Sequence, residues 1–324
     1  MKNRCSLLQF AFLLTMFLSL GNASEAYQLT LYTMPPPHHL DWSSPRALIW
    51  GCSIGNRLTF SNMDHKHTMG HVFVELNSES DYDEFAGSTT APDAPNDADF
   101  ITKQGYGLGV FFANFRGCLD PGDNLKKQLQ NRYANSTVNY INFKISKSTF
   151  DRLFQYLAMY KYRNYQSVYS GLNKPREGKG AGCSIFGVSF VELAGFLCPE
   201  WVNRWQIHVK LPQSMVGGPM TKQFVSMWTV IRENRWAQPN EPFIPLDLYD
   251  PDLISQWILQ AWDKVNFEKL HGGGHPFGDP ILDRAKPSMR GQAKGLEIDA
   301  TDVPTPTDPI WQGDALNFKE TPQH

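Results

Sequence analysis

Residues 183–197, with the sequence CSIFGVSFVELAGFL, constrain the fold most, because apolar side chains cover nearly every face of the helix that they predict. A helix of this kind is stable only where other elements surround it, so it should lie at the centre of the core. The run GKGAG leads into it, and Cys183 stands at the junction. Unpaired N–H groups and the helix dipole lower the pKa of a thiol there. The junction therefore predicts a reactive thiol, the alternative being a small structural residue between a glycine loop and a packed helix.

The first 26 residues have the pattern of a signal peptide. Lys2 and Arg4 form a basic start, the stretch 7–20 is apolar, and small residues follow at 24–26. The apolar stretch of about 14 residues is shorter than the roughly 20 residues that a membrane-spanning helix needs. We therefore expect an exported protein, periplasmic or secreted, without a membrane span.

The remaining chain is predicted to form one domain over residues 27–271, with a core of about 46–210 and a Trp-rich segment, 201–271, that wraps it. The tryptophans could present a carbohydrate-binding face, but their helical spacing is more typical of a core. Glycine, proline and charge dominate 272–324, which predicts a loosely ordered tail. Thirty basic and 32 acidic residues give a net charge of −2, which argues against nucleic-acid binding.

Three segments before Cys183 predict strands and a helix. The sequence GHVFVEL at 70–76 alternates apolar residues with His71, Phe73 and Glu75, as a strand does. GYGLGVFFANF, at 105–115, is predicted as a second strand. VNYINFKIS, at 138–146, alternates again and continues into an amphipathic helix at about 146–163.

A reactive cysteine needs a base within hydrogen-bonding distance, and imidazole has a suitable pKa. Most of the histidines lie in the Pro-rich segment near residue 38, beside the predicted tail, or at the terminus. His71 begins the best-defined strand, and a rigid strand can hold a base in position. We therefore predict that Cys183 and His71 form a catalytic pair, although a strand histidine is more often a hydrogen-bonded core residue.

The order of these elements resembles the circularly permuted papain-like (NlpC-type) thiol hydrolases and their lecithin:retinol-acyltransferase-like relatives, in which the histidine strand precedes the cysteine helix. The resemblance covers residues 46–197. It implies an α+β fold with an antiparallel sheet packed against helices, Cys183 as nucleophile and His71 as base. It also implies a third polar group that orients the imidazole, for which Asn142 and Glu75 are candidates.

Two features depart from the pattern of these relatives. Members often carry Asn directly before the cysteine, where this chain has Gly182. They also have a short link between a preceding tyrosine and the cysteine, whereas here the segment 170–182 separates Tyr169 from Cys183.

The resemblance and the predicted signal peptide together imply an exported cysteine hydrolase that cleaves an amide bond, with a peptide or a peptidoglycan peptide as substrate. A thiol acyltransferase or esterase is a further alternative, and no cofactor is expected. A different class is a non-catalytic exported binding protein that holds a metal through His65, His67 and His71, since alternate strand residues share a face and imidazole is a common ligand. Alternatively, the first two of these histidines are solvated loop residues.

Four cysteines follow the predicted signal peptide. If Cys183 is a free thiol, the remaining number is odd, and an oxidising compartment favours a disulfide between Cys52 and Cys118. Cys198, near the end of the apolar helix, is then predicted to be a buried thiol.

Overall fold

The computed structural model describes residues 26–51, 56, 67–78, 82–95, 97–271, 279–313 and 315. All but the last residue of the predicted signal peptide lies outside these residues. The described chain has an α+β fold in which a mixed sheet packs against helices. No helix within the described ranges has both the length and the hydropathy that spanning a bilayer requires.

The strands are β1 (Tyr27–Met34), β2 (His71–Ser78), β3 (Tyr82–Ala86), β4 (Ser88–Thr90), β5 (Phe115–Leu119), β6 (Asn139–Ile145), β7 (Val168–Tyr169), β8 (Gln206–Pro212), β9 (Phe243–Tyr249), β10 (Ala285–Arg290) and β11 (Ala293–Ala300). The α-helices are α1 (Pro45–Ile49), α2 (Asp97–Thr102), α3 (Gly122–Asn135), α4 (Lys147–Tyr162), α5 (Cys183–Leu193), α6 (Pro199–Trp205), α7 (Met227–Arg232) and α8 (Pro251–His271). Short 3₁₀ helices cover Leu108–Phe112, Tyr165–Ser167, Pro175–Glu177, Gln213–Met215 and Leu282–Arg284.

The main sheet has six strands in the order β10-β11-β6-β1-β2-β3. Neighbouring strands are antiparallel except β11 and β6, which are parallel. The sheet is therefore mixed rather than wholly antiparallel as predicted. Smaller sheets join β4, β5 and β7, and β8 with β9.

The two faces of the main sheet carry different side chains because successive strand residues point in opposite directions. Leu31 of β1 and Val72 and Val74 of β2 join the main core with residues of α4, α5, α6 and α8. Tyr32 and Phe73 face the other way and pack with Leu125 of α3. His71 and Glu75 lie two residues on either side of Phe73 in β2, so the three share one face of the strand. The strand alternation predicted from GHVFVEL is therefore confirmed.

The apolar helix predicted at Cys183 is α5, and its central position is confirmed, since Phe186 and Phe190 are fully buried. The amphipathic helix predicted at 146–163 is α4, which Ser146 caps by accepting a hydrogen bond from the backbone N–H of Thr149. In the Trp-rich segment, Trp201, Trp205 and Trp257 are also core residues, with ring centroids 5.0–5.4 Å apart.

The prediction of a loosely ordered tail over 272–324 is wrong for 285–300. Strands β10 and β11 extend the main sheet, and Leu296, Ile298 and Ala300 are buried in its core. Local composition was misleading here because the pairing partner of β11 is β6, which lies about 150 residues earlier in the chain and is invisible to a local window.

The strand predicted at 105–115 is also wrong for most of its length. Leu108–Phe112 forms a 3₁₀ helix, and β5 starts only at Phe115. Gly107 has a positive φ of 49°, which interrupts an extended backbone. Leu108 packs in a second apolar cluster, which lies around the paired strands β8 and β9 and includes Leu211 and Leu246.

Candidate functional site

Cys183 is the first residue of α5, and a fixed loop presents it there. The Gly182 N–H donates to the carbonyl of Ser170, and the Ala181 N–H donates to the Tyr160 hydroxyl at 3.1 Å. The Ser88 hydroxyl donates to the Ala181 carbonyl at 2.6 Å. These bonds hold the loop from several elements, so the cysteine enters the helix at a defined position.

Gly180 explains one of the glycines in GKGAG. A Cβ atom at this position would lie 2.1 Å from the carbonyl oxygen of Val168 and 2.2 Å from that of Tyr165. Both contacts are with backbone, which cannot move aside as a flexible side chain can. The glycine thus lets the loop pack directly against the segment that contains β7.

His71 is the first residue of β2, and its side chain is almost completely buried. Its imidazole lies beside the thiol of Cys183, close enough for each side chain to shift the pKa of the other. Burial alone would lower the pKa of His71, but the contacts with Asp120 and Cys183 and their negative charges outweigh it and raise that pKa to about 9. The structure therefore brings the two predicted residues together.

Cys183 responds in the opposite sense. Burial would raise the pKa of the thiol, but the hydrogen bond from His71 and its positive charge lower it to about 7. The Val72 N–H and the Tyr169 hydroxyl, whose oxygen is 3.7 Å from Sγ, act in the same direction. Tyr169 thus reaches the cysteine despite the intervening segment 170–182. The pair is set up to exist as thiolate and imidazolium near neutral pH.

Asp120, which directly follows β5, is the third member of this group. Its Oδ2 atom lies 3.1 Å from Nε2 of His71, and its side chain is 18 % exposed. Neither atom has a well-aligned hydrogen-bond partner, so the contact is an oblique ion pair. The Asp120 N–H donates to the carbonyl of Gly87 at 2.8 Å, which holds the carboxylate next to the imidazole.

Gly87 leaves the space in which this pair meets. A Cβ atom there would lie 2.9 Å from Cβ of Phe73, 3.0 Å from Nε2 of His71 and 3.4 Å from Oδ2 of Asp120. A larger residue would thus push against the imidazole and the strand that carries it. The glycine allows β3 and β4 to pass close to the pair.

The two predicted candidates for the third polar group are wrong. Asn142 lies on β6, which β1 separates from β2, and its side chain bonds to Thr30 and Gln28. Glu75 lies four residues along β2 from His71, about 13 Å in an extended strand. Its Oε2 atom accepts a hydrogen bond from the Tyr32 hydroxyl at 2.6 Å.

Of the histidines in the metal alternative, His65 lies outside the described residues. The rings of His67 and His71 stack, with centroids 4.2 Å apart and planes at 12°. In the part of the chain that the structure describes, no group of three or more His, Cys, Asp or Glu residues could hold a metal ion. His71 instead lies beside Cys183 and Asp120.

The other cysteines differ from Cys183. Cys118 is a free thiol whose Sγ atom donates to the carbonyl of Thr90, so the predicted disulfide with Cys52 is not formed; Cys52 itself lies outside the described residues. Cys198 is also free, and it is only partly buried rather than fully buried as predicted. Burial and the neighbouring carboxylate of Asp279 raise its pKa to about 11.

A thiolate beside an imidazolium that in turn contacts a carboxylate can perform nucleophilic catalysis followed by proton transfer. The first N–H groups of α5 have no partners within the helix and can stabilise a negative oxygen beside the sulfur. Sequence reasoning missed Asp120 because LDPGDN, at 119–124, has the composition of a turn.

Comparison of the chain with models of protein families, with curated proteins and with solved structures found no significant match.

Proposed function

We propose that this protein is an exported thiol hydrolase with a permuted papain-like core, and that it cleaves an amide bond in a peptide or in the peptides of a cell wall. The observation that carries the proposal is the contact of Cys183 at a helix N-terminus with His71, which in turn contacts Asp120. The His-bearing strand precedes the Cys-bearing helix in the chain, as the resemblance requires. Export and the cell-wall substrate rest on the predicted signal peptide.

In the proposed acylation step, the Cys183 thiolate attacks the carbonyl carbon of the amide. The N–H groups of the first turn of α5 bind the oxygen as it becomes negative. His71 gives its proton to the amide nitrogen, the C–N bond breaks, and the amine leaves. The acyl group is then a thioester on Cys183, and His71 is neutral.

Hydrolysis of the thioester regenerates the pair. Neutral His71 takes a proton from water, the hydroxide attacks the thioester carbon, and the C–S bond breaks. The products are a carboxylic acid and the original thiolate–imidazolium pair. Asp120 stabilises the positive imidazolium and restrains its ring through the contact with Nε2.

Trapping the acyl-enzyme tests the proposal directly. The exported chain is treated with p-nitrophenyl acetate at neutral pH, quenched in acid, digested and analysed by mass spectrometry. We expect an acetyl group on Cys183 and none on Cys198, because burial and Asp279 raise the pKa of Cys198 to about 11. A Cys183→Ser variant should neither become labelled nor release nitrophenol above the uncatalysed rate.

Turnover of amide and ester substrates with the same acyl group then identifies the class of bond. Hydrolysis of short peptides by the parent and not by Cys183→Ser supports an amide hydrolase. Turnover confined to esters, or transfer of the acyl group to an added amine, would instead indicate an esterase or acyltransferase. Equal acetylation of Cys118, Cys183 and Cys198 would contradict a catalytic cysteine altogether.

A further inference from the structure

Residues 216–225 form a turn that projects from the second apolar cluster and is held rigidly at its base. The Gly217 N–H donates to the carbonyl of Tyr106 at 2.8 Å, and the Val225 N–H donates to that of Gly105 at 2.7 Å. Bonds within the turn connect Gly218 with Gln223, Lys222 with Gly218, and Thr221 with Val216. The backbone of the turn is therefore fixed at its base and along its length.

Large apolar side chains are exposed on this rigid support. Met220 is 52 % exposed and Phe224 is 68 % exposed, while Trp228, in the adjoining helix α7, is 69 % exposed. We call these three residues the apolar tip. Val216 and Val225, at the base of the turn, are almost fully buried. Buried valines thus anchor the base of the turn, while the larger side chains of the apolar tip are exposed to water.

Exposure of these apolar side chains to water is unfavourable, and the free energy falls when a partner covers them. Covering the apolar tip costs little ordering entropy, because the hydrogen bonds already fix its backbone. Isolated exposed apolar residues are ordinary on protein surfaces, but three within nine residues on a fixed turn favour a binding function.

The charges around the apolar tip indicate the kind of partner. The turn and α7 together, residues 216–232, contain two charged residues, Lys222 and Arg232, and no Asp or Glu, and Glu233 directly follows α7. Lys222 lies within the exposed part of the turn, and neither it nor Arg232 has an ion-pair partner among the residues that the structure describes. These two cations of the turn and α7 are therefore suited to a negative partner.

We propose that the apolar tip binds the surface of an anionic lipid bilayer, with Phe224 and Trp228 in the interfacial region and Lys222 at the headgroups. Aromatic residues beside cations are the composition that favours the bilayer interface, where anionic headgroups attract Lys and Arg. This surface lies on the second apolar cluster, and the proposal goes beyond the hydrolase activity because it holds whether or not Cys183 is catalytic.

Vesicle co-sedimentation tests the proposal. The exported chain, with its N-terminus identified by mass spectrometry, is mixed with vesicles of phosphatidylcholine or of equal parts phosphatidylcholine and phosphatidylglycerol. We expect binding to the anionic vesicles that is at least about tenfold weaker in a Phe224→Ala/Trp228→Ala variant, since two exposed aromatic anchors are removed. Lys222→Glu should weaken binding to the anionic vesicles by roughly tenfold and change binding to phosphatidylcholine little.

The matched control is Phe267→Ala/Leu270→Ala, which removes side chains that are 61 % and 72 % exposed at the end of α8. It should bind the anionic vesicles like the parent. Any membrane affinity of the N-terminal apolar stretch is common to all variants, and equal melting temperatures check that each is folded. The proposal is overturned if the parent binds neither kind of vesicle, or if the tip variant and the Phe267→Ala/Leu270→Ala control lose binding equally. It is also overturned if Lys222→Glu and the tip variant bind like the parent.

Discussion

Replacement of His71 by Ala should change the pH dependence of Cys183 alkylation in a way that can be calculated from the structure. In the parent the thiol has a pKa of about 7. Its ionised fraction is therefore about one tenth at pH 6 and almost complete at pH 9. Because iodoacetamide reacts with the thiolate, the rate of alkylation follows this fraction. The ratio of the rate at pH 6 to the rate at pH 9 should accordingly be about 0.09.

Without His71 the largest remaining influence on the thiol is burial, which raises its pKa. At the ordinary cysteine value of about 8.5, roughly 0.3 % of the thiol is ionised at pH 6 and about three quarters at pH 9. The ratio of rates should then fall about twentyfold, to about 0.004, and further if burial raises the pKa above 8.5. A thiolate of higher pKa is also more nucleophilic, but this factor acts equally at both pH values and cancels in the ratio.

The assay is timed alkylation with quantification of each cysteine peptide by mass spectrometry. Cys198 is the internal reference, because a pKa of about 11 should keep it slow at both pH values. His208→Ala is the matched control, since that imidazole is exposed and bonds to Asp247 on the neighbouring strand β9. An unchanged ratio in folded His71→Ala would refute the inferred stabilisation of the thiolate by His71.

Three further changes test other parts of the structure. Asp120→Asn should lower the turnover of any substrate of Cys183 by up to about a hundredfold, since a positioned acid or base contributes at least that factor to the rate. Asp93→Asn, which removes a surface ion pair, should leave turnover unchanged. Equal activities of the two variants would contradict the role of Asp120. Gly87→Ala should cost about 1–3 kcal/mol in free energy of unfolding, measured with urea, and lower the alkylation ratio of Cys183. Gly122→Ala is the control, because its nearest atoms lie 3.7 Å away, and similar unfolding curves for both variants would show that the space at residue 87 is not restricted. Ile298→Ala should cost about 2–5 kcal/mol, because that side chain is fully buried; a melting temperature equal to that of the parent would show that β11 is not part of the core.

The elements with a local repeat could be predicted from the sequence. The alternation around His71 specifies a strand with one apolar face, and the apolar residues after Cys183 specify a buried helix. The same patterns placed Cys183 at a helix N-terminus and His71 on a rigid support. Their contact was an inference from the type of chemistry and the order of elements, since no local pattern brings together residues separated by more than 100 positions.

Pairing between distant strands could not be predicted in this way. The stretch AKGLEIDA at 293–300 does alternate, with Leu296 and Ile298 on the buried face. Its flanking glycines, prolines and charges nevertheless gave the whole segment the composition of a tail. What makes it a strand is the hydrogen bonding with β6, whose free edge it covers.

Asp120 shows why the third member of the site was the hardest to predict. An aspartate before Pro-Gly at the start of a helix ordinarily caps that helix, since its carboxylate accepts bonds from free N–H groups. In the structure the residue at the cap position of α3 is Pro121, and no side chain caps the helix. The carboxylate of Asp120 is therefore not used by α3, and the bond from its N–H to Gly87 turns it towards His71 instead. An acidic residue at a predicted helix start whose cap is not needed there is thus a candidate partner for a buried histidine. The Asp120→Asn variant separates the two roles, because Asn caps a helix about as well as Asp but carries no charge to stabilise the imidazolium, so turnover should fall while stability is kept.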